Sequence, residues 1–165
     1  MNNLTANTLA DTFECVRNLT KFYFSKLDDS QYLTEHKIDN VDINNAYWLF
    51  AHLVWTEHSL IIQGIADQDM EIDWLEKFAY DSDPKSIESP PSLEEIQKQS
   101  ELVHLKAMEI IRGLSDEDLE KDNYFNFTIG GSKSKKTLIM HAIRHEPMHI
   151  GQLSLILKAN NAELG

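Results

Sequence analysis

At 165 residues, 42% apolar and 25% charged, the chain has the length of one domain and the composition of a globular one. Its net charge of −12 works against nucleic-acid binding, which depends on Lys and Arg neutralising phosphates. No apolar run approaches the about 20 residues of a membrane-spanning helix, and a single cysteine, Cys15, excludes an intrachain disulfide.

The opening MNNLTANTLADTFE lacks a basic segment followed by an apolar one, so no signal peptide is expected and the expected location is cytoplasmic. A first helix is expected over residues 5–27, where Leu9, Phe13, Val16, Tyr23 and Leu27 recur at helical spacing. Cys15 on this helix reads as a small core residue. A second helix is expected over 43–65. Its centre, AYWLFAHLVW, is apolar almost all round, as in a helix buried on every side.

Residues 66–91 form a long connection bearing Asp83-Pro84 and Pro90-Pro91. Two antiparallel neighbours need far fewer residues, so a crossover is expected here, with the third helix parallel to the second. Trp74, Phe78 and Tyr80 in this link read equally well as anchors to the core or as a lid over a pocket. The third helix is expected over 92–113, with Ser92 and Glu95 as a capping box, Leu93, Ile96, Val103, Ala107 and Ile110 inward, and Gly113 near its end. YFNFTIGG (124–131) reads as a short extended piece ending in a Gly-Gly turn, and KSKK (133–136) as a solvated loop before the fourth helix, expected over 135–159. The predicted fold is all-α: a single-domain four-helix bundle.

The chemistry concentrates in RHEPMHIGQL (144–153). On a helical wheel Leu138, His141, Ala142, His145, His149, Gln152 and Ile156 share one sector with the apolar core residues. His145 and His149, four apart, place their Cβ atoms about 5–6 Å from each other, close enough to chelate one ion. His141 and His149 are about 12 Å apart along the axis, too far to share it.

His-Glu-x-x-His is also the zinc-protease pattern, but three features reject that reading. Gln152 stands where a glycine would follow the second histidine. The only downstream carboxylate is Glu163, near the end of the chain. Pro147 removes the bond to the Ile143 carbonyl and crowds that turn. Helix 4 is expected to run through Pro147 with a kink.

A mononuclear site needs at least a third protein ligand. His52, among Trp48, Leu49, Leu53 and Trp55, is the upstream candidate, on a semi-polar stripe with Asn45, Thr56, Ser59 and Gln63. The competing reading is a core histidine bonded to one of these neighbours. His58 and His104 fall off the inner stripes, His36 falls in a loop, and Glu146 reads as a surface or interface charge.

AYWLFAHLVWTEHSL together with RHEPMHIGQL, the LSDEDL turn (114–119) and the proline-bearing link resembles the DinB-like superfamily over nearly the whole chain. The resemblance implies an up-down-down-up bundle and one divalent metal, nickel or zinc most often, on His52, His145 and His149. Arg144 stands where relatives often carry Asn, and Ile150 where they often carry Arg. It further implies homodimers, a damage- or stress-associated role, and metal-activated attack of a small bacterial thiol on an electrophilic substrate. The alternative is a non-catalytic metal- or ligand-binding protein.

Overall fold

The computed structural model describes residues 3–82 and 87–161. Asp83-Pro84 and Glu163 lie outside the described residues. The chain is mostly helical, with one two-stranded sheet among the described residues.

Helix α1 spans Leu4–Phe24 and buries Ala6, Ala10, Phe13, Arg17, Thr20 and Phe24, a 4-3-4-3-4 stripe. The stripe passes through Arg17 and leaves Cys15 exposed, so the expectation of a core thiol fails. The helix ends at Phe24; Leu27 is buried beyond it.

A hairpin follows, with β1 His36–Ile38 paired antiparallel to β2 Val41–Ile43. Asp39 (φ 48°) and Asn40 (φ 66°) make its two-residue turn, a conformation that Asp and Asn tolerate. His36 is thus a strand residue, with Asn160 Nδ2 at 3.3 Å from its Nε2.

Helix α2, Ala46–Glu57, starts three residues later than expected because Ile43 closes β2. The Asn45 side chain caps it by accepting from the Trp48 amide at 2.9 Å. The helix continues as a π-helical turn, His58–Gln63, and ends as α3, Gly64–Ala66, at the left-handed Asp67. Burial on nearly every side matches the all-round apolar sequence. It also draws His58 inside, against the expectation from stripes: a helix surrounded by protein has no outer face to receive it.

Helix α4, Leu93–Gly113, is capped by Ser92 Oγ accepting from the Glu95 amide. Its inner face is wider than the expected one and includes Ser100, His104, Met108 and Ile111. His104 is therefore buried, lying between Ser100 and Ala107 on that face. Helix α5, Asp116–Leu119, is a short turn capped by Ser115. Gly130 and Gly131, both at positive φ, turn the following segment as expected.

Helix α6, Lys135–Ala159, is capped by Ser134 and runs through Pro147. Lys135 is not a free loop charge: its ammonium bonds the Ile65 carbonyl at 2.7 Å and lies over the Tyr124 ring, closing the end of α3.

Helix α1 packs on α4 and α6, and α2 packs on the same two. Asp11 meets Arg112, and Lys21 meets Glu101, along α1 and α4. The Tyr47 hydroxyl, near the start of α2, bonds the Pro91 carbonyl just before α4.

The apolar core forms two clusters. One gathers Phe24, Leu49, Phe50, Leu53, Phe78, Val103 and Leu153; the other gathers Phe13, Ile61, Ile65, Ile111, Leu138 and Ile139. Along every long helix a polar residue separates them: Arg17, Glu57, His104 and Glu146.

Candidate metal centre

The inward face of α6 is centred on Ala142, Glu146 and Ile150, all buried. His145 and His149 stand on its flank, half-buried, and Gln152 is exposed. The expected inward sector is thus rotated by roughly one residue. The rotation turns the two histidines toward α2, where His52 is 3% exposed.

One nitrogen from each of His52, His145 and His149 lies within 4.8 Å of the others, a group that could hold a metal ion. The His145 and His149 Nε2 atoms are 3.3 Å apart. An ion holding imidazole nitrogens at 2.0–2.1 Å in a tetrahedron keeps them about 3.3–3.4 Å apart, so modest side-chain rotation completes the set.

The hydrogen bonds aim the lone pairs. His52 Nδ1–H donates to the Phe78 carbonyl at 2.7 Å, which leaves its Nε2 without a proton. His149 Nδ1–H donates to Gln152 Oε1 at 2.8 Å, with the same consequence. His145 Nδ1 is buried with no partner. Trp48 stacks on His52 with ring centroids 4.5 Å apart and fixes its plane.

Burial lowers His52 to about 4, against the opposing bond to Phe78, and lowers His145 to about 3, aided by the charges of its histidine neighbours. His149 is also lowered by burial, partly offset by Gln152. All three are neutral at pH 7, the protonation state that metal ligation requires. The residues present fit a divalent cation.

A cavity of about 540 Å³ adjoins the cluster, lined by the three histidines with Asn44, Trp48, Tyr80, Asp81, Ser82 and Met148. One side of its wall, Tyr80, Asp81 and Ser82, comes from the long link. Phe78 is fully buried and packs edge-on against Trp74, so these two are anchors. Tyr80, 77% exposed, lines the cavity. His141 is peripheral: its ring lies 5.7 Å from that of His145, and its Nδ1 accepts from Arg144 Nε.

The sequence model of the DinB superfamily matches residues 12–153. The chain belongs to the DinB superfamily. Among curated proteins none matches it.

In this DinB superfamily member Glu146 is 2% exposed, not a surface charge. It pairs with Arg17 at 3.2 Å, while Arg17 bonds Glu57 at 2.5 Å and Ser100 at 3.4 Å. His104 joins Glu57 (2.7 Å) to Glu14 (3.3 Å). Burial alone would lower Arg17, but the charges of Glu57 and Glu146 outweigh it and hold the guanidinium above its usual value. Burial raises the Glu146 carboxyl, with Arg17 opposing.

Nothing in the sequence pointed to this network, because its members stand far apart and periodicity reads a charge as solvated. The cavity residues Asn44, Asp81 and Ser82 were equally unmarked, since only the path of the link brings them to the histidines.

Proposed function

We propose that His52, His145 and His149 hold one divalent ion, nickel or zinc, and that the chain is a metal-dependent enzyme transferring a small bacterial thiol to an electrophile. The observation that carries this is the convergence of three imidazole nitrogens within 4.8 Å of one another beside a cavity large enough for a small molecule. When bound, the ion supplies Lewis acidity and open coordination positions, which acidify a thiol or water.

The chain's own residues do the rest. Phe78 and Gln152 hold the His52 and His149 rings in one tautomer. Trp48 forms an apolar wall against the His52 ring. In the reaction the thiol loses its proton to solvent, its sulfur forms the new bond to the electrophilic carbon, and the displaced group leaves with the bonding pair.

The same reading takes the chain as one domain in an up-down-down-up bundle. Pairing of Asp11 with Arg112 and of Lys21 with Glu101 supports antiparallel α1 and α4, and the Tyr47–Pro91 contact supports a parallel α2 and α4 joined by the crossover. Exposed Leu19 and Phe22 on α1, with Leu155 on α6, are the apolar residues we assign to a homodimer face. A cytoplasmic stress-response role rests on family membership.

The test is a transfer assay on zinc- and nickel-loaded protein, with a panel of small thiols and electrophilic acceptors. Metal-dependent loss of free thiol, abolished in His145→Ala, is the expected result. Full metal occupancy without turnover on any pair favours the non-catalytic binding protein.

A further inference from the structure

The turn at residues 79–82 is held in place from both sides. The Phe78 carbonyl accepts from His52, and Ser82 Oγ accepts from the Trp48 indole N–H at 3.3 Å. The Ser82 amide bonds the Ala79 carbonyl at 3.1 Å, closing a four-residue turn with Asp81 at φ 64° in its third position. Such a turn projects its two central side chains, Tyr80 and Asp81, outward, and both line the histidine cavity.

Among the described residues the charge on that lining is one-sided. Asp81 is its only charged residue among the described residues, and no Lys or Arg faces it there. The Asp81 carboxylate is exposed and has no ion-pair partner among the described residues. Two aromatic residues share the lining with it: Tyr80, which is exposed, and Trp48, which is buried with one face stacked on His52. A carboxylate that shares a cavity wall with an exposed aromatic ring favours a cation, through Coulomb attraction and through the ring quadrupole. An acidic ligand would instead meet a negative charge that no described residue compensates, in a chain of net charge −12.

We propose that the histidine cavity selects a small molecule bearing an ammonium group, with Asp81, Tyr80 and Trp48 as its specificity-determining residues. This deepens the reading of that cavity as the substrate site and rests on it. The substrate class is an amine-bearing small molecule, such as an aminothiol, whose sulfur end faces the histidines and whose amine end faces the turn. Acidic thiols are discriminated against.

The test has two arms. Ligand-observed NMR titration of the protein as purified compares benzylamine with benzoate, which share a ring and differ in charge. Benzylamine is expected to bind about tenfold more tightly. Asp81→Asn should remove the preference; Asn tolerates the left-handed backbone there as Asp does, so the fold is kept. Equal binding, preference for benzoate, failure of both to bind, or a preference that survives Asp81→Asn overturns the inference.

The second arm loads the protein with cobalt(II) and titrates cysteamine, mercaptoethanol and mercaptopropionate, following thiolate-to-cobalt absorption. An affinity order of cation over neutral over anion supports the inference. Absorption changes without that order overturn it while the thiol reading stands. A benzylamine preference with no thiolate band from any thiol supports the amine site and overturns the thiol reading.

Discussion

Two polar clusters lie in the interior of this molecule, and they differ in what adjoins them: one is enclosed by four helices and the other borders a cavity. In the Arg17–Glu57–His104–Glu146 network two carboxylates share one guanidinium and both His104 nitrogens have carboxylate partners, while Arg17 Nε and Glu146 Oε1 are left without one. The His52–His145–His149 cluster keeps nitrogens aimed at one another beside a cavity, and His145 Nδ1 has no partner. Paired groups hold helices together. Converging nitrogens beside open space offer a ligand a place to bind. Residue type does not separate the two, since histidine occurs in both.

The largest way to break this contrast is Arg17→Met. It leaves Glu57 and Glu146 buried without their shared cation, and should cost about 3–5 kcal/mol in urea unfolding. Metal affinity of the folded fraction should be unchanged. A loss below about 1 kcal/mol would mean that the network is not structural.

The sequence carries the two clusters very unequally. His145 and His149 are legible because i,i+4 spacing brings two side chains together by local geometry alone. His52 is legible because a polar residue amid AYWLFAHLVW is conspicuous. The long helices are legible for the same local reasons, with Ser92 marking one start and the 135–159 helix found at its expected bounds.

The network joins residues 17, 57, 104 and 146, each on a different helix, and no local pattern links them. Glu146 was misplaced because the wheel centred the inner face of α6 on the histidines, whereas Ala142, Glu146 and Ile150 form that centre. The Asp39-Asn40 hairpin went unread because its strands are three residues each, too short for alternation to register. The π-helical turn at 58–63 has no sequence signature that periodicity detects.

A smaller effect sharpens the contrast through pH. His52 (about 4) and His145 (about 3) sit below the ordinary imidazole value of 6.5. Between those values the unfolded chain binds more protons than the folded one, so stability rises with pH there and is lost as pH falls. In the presence of a chelator, unfolding free energy should fall from about pH 7 to about pH 5. His145→Asn should flatten that slope. Glu146 works with the opposite sign, because its raised carboxyl favours the folded state as pH falls; Glu146→Gln should therefore steepen the slope. A slope unaltered by His145→Asn would assign the pH dependence elsewhere.

The central claim is that the three imidazoles form one metal site, and equilibrium zinc and nickel titration of the chelator-stripped protein, with elemental analysis of the saturated form, tests it most directly. The account predicts one ion per chain in the wild type, no stoichiometric ion in His149→Ala, and a change in metal-free unfolding free energy of that variant below about 1 kcal/mol, because His149 is half-buried on a flank of α6. Full occupancy in His149→Ala, or no ion bound to the folded wild type, would contradict it and leave the three histidines as packing residues.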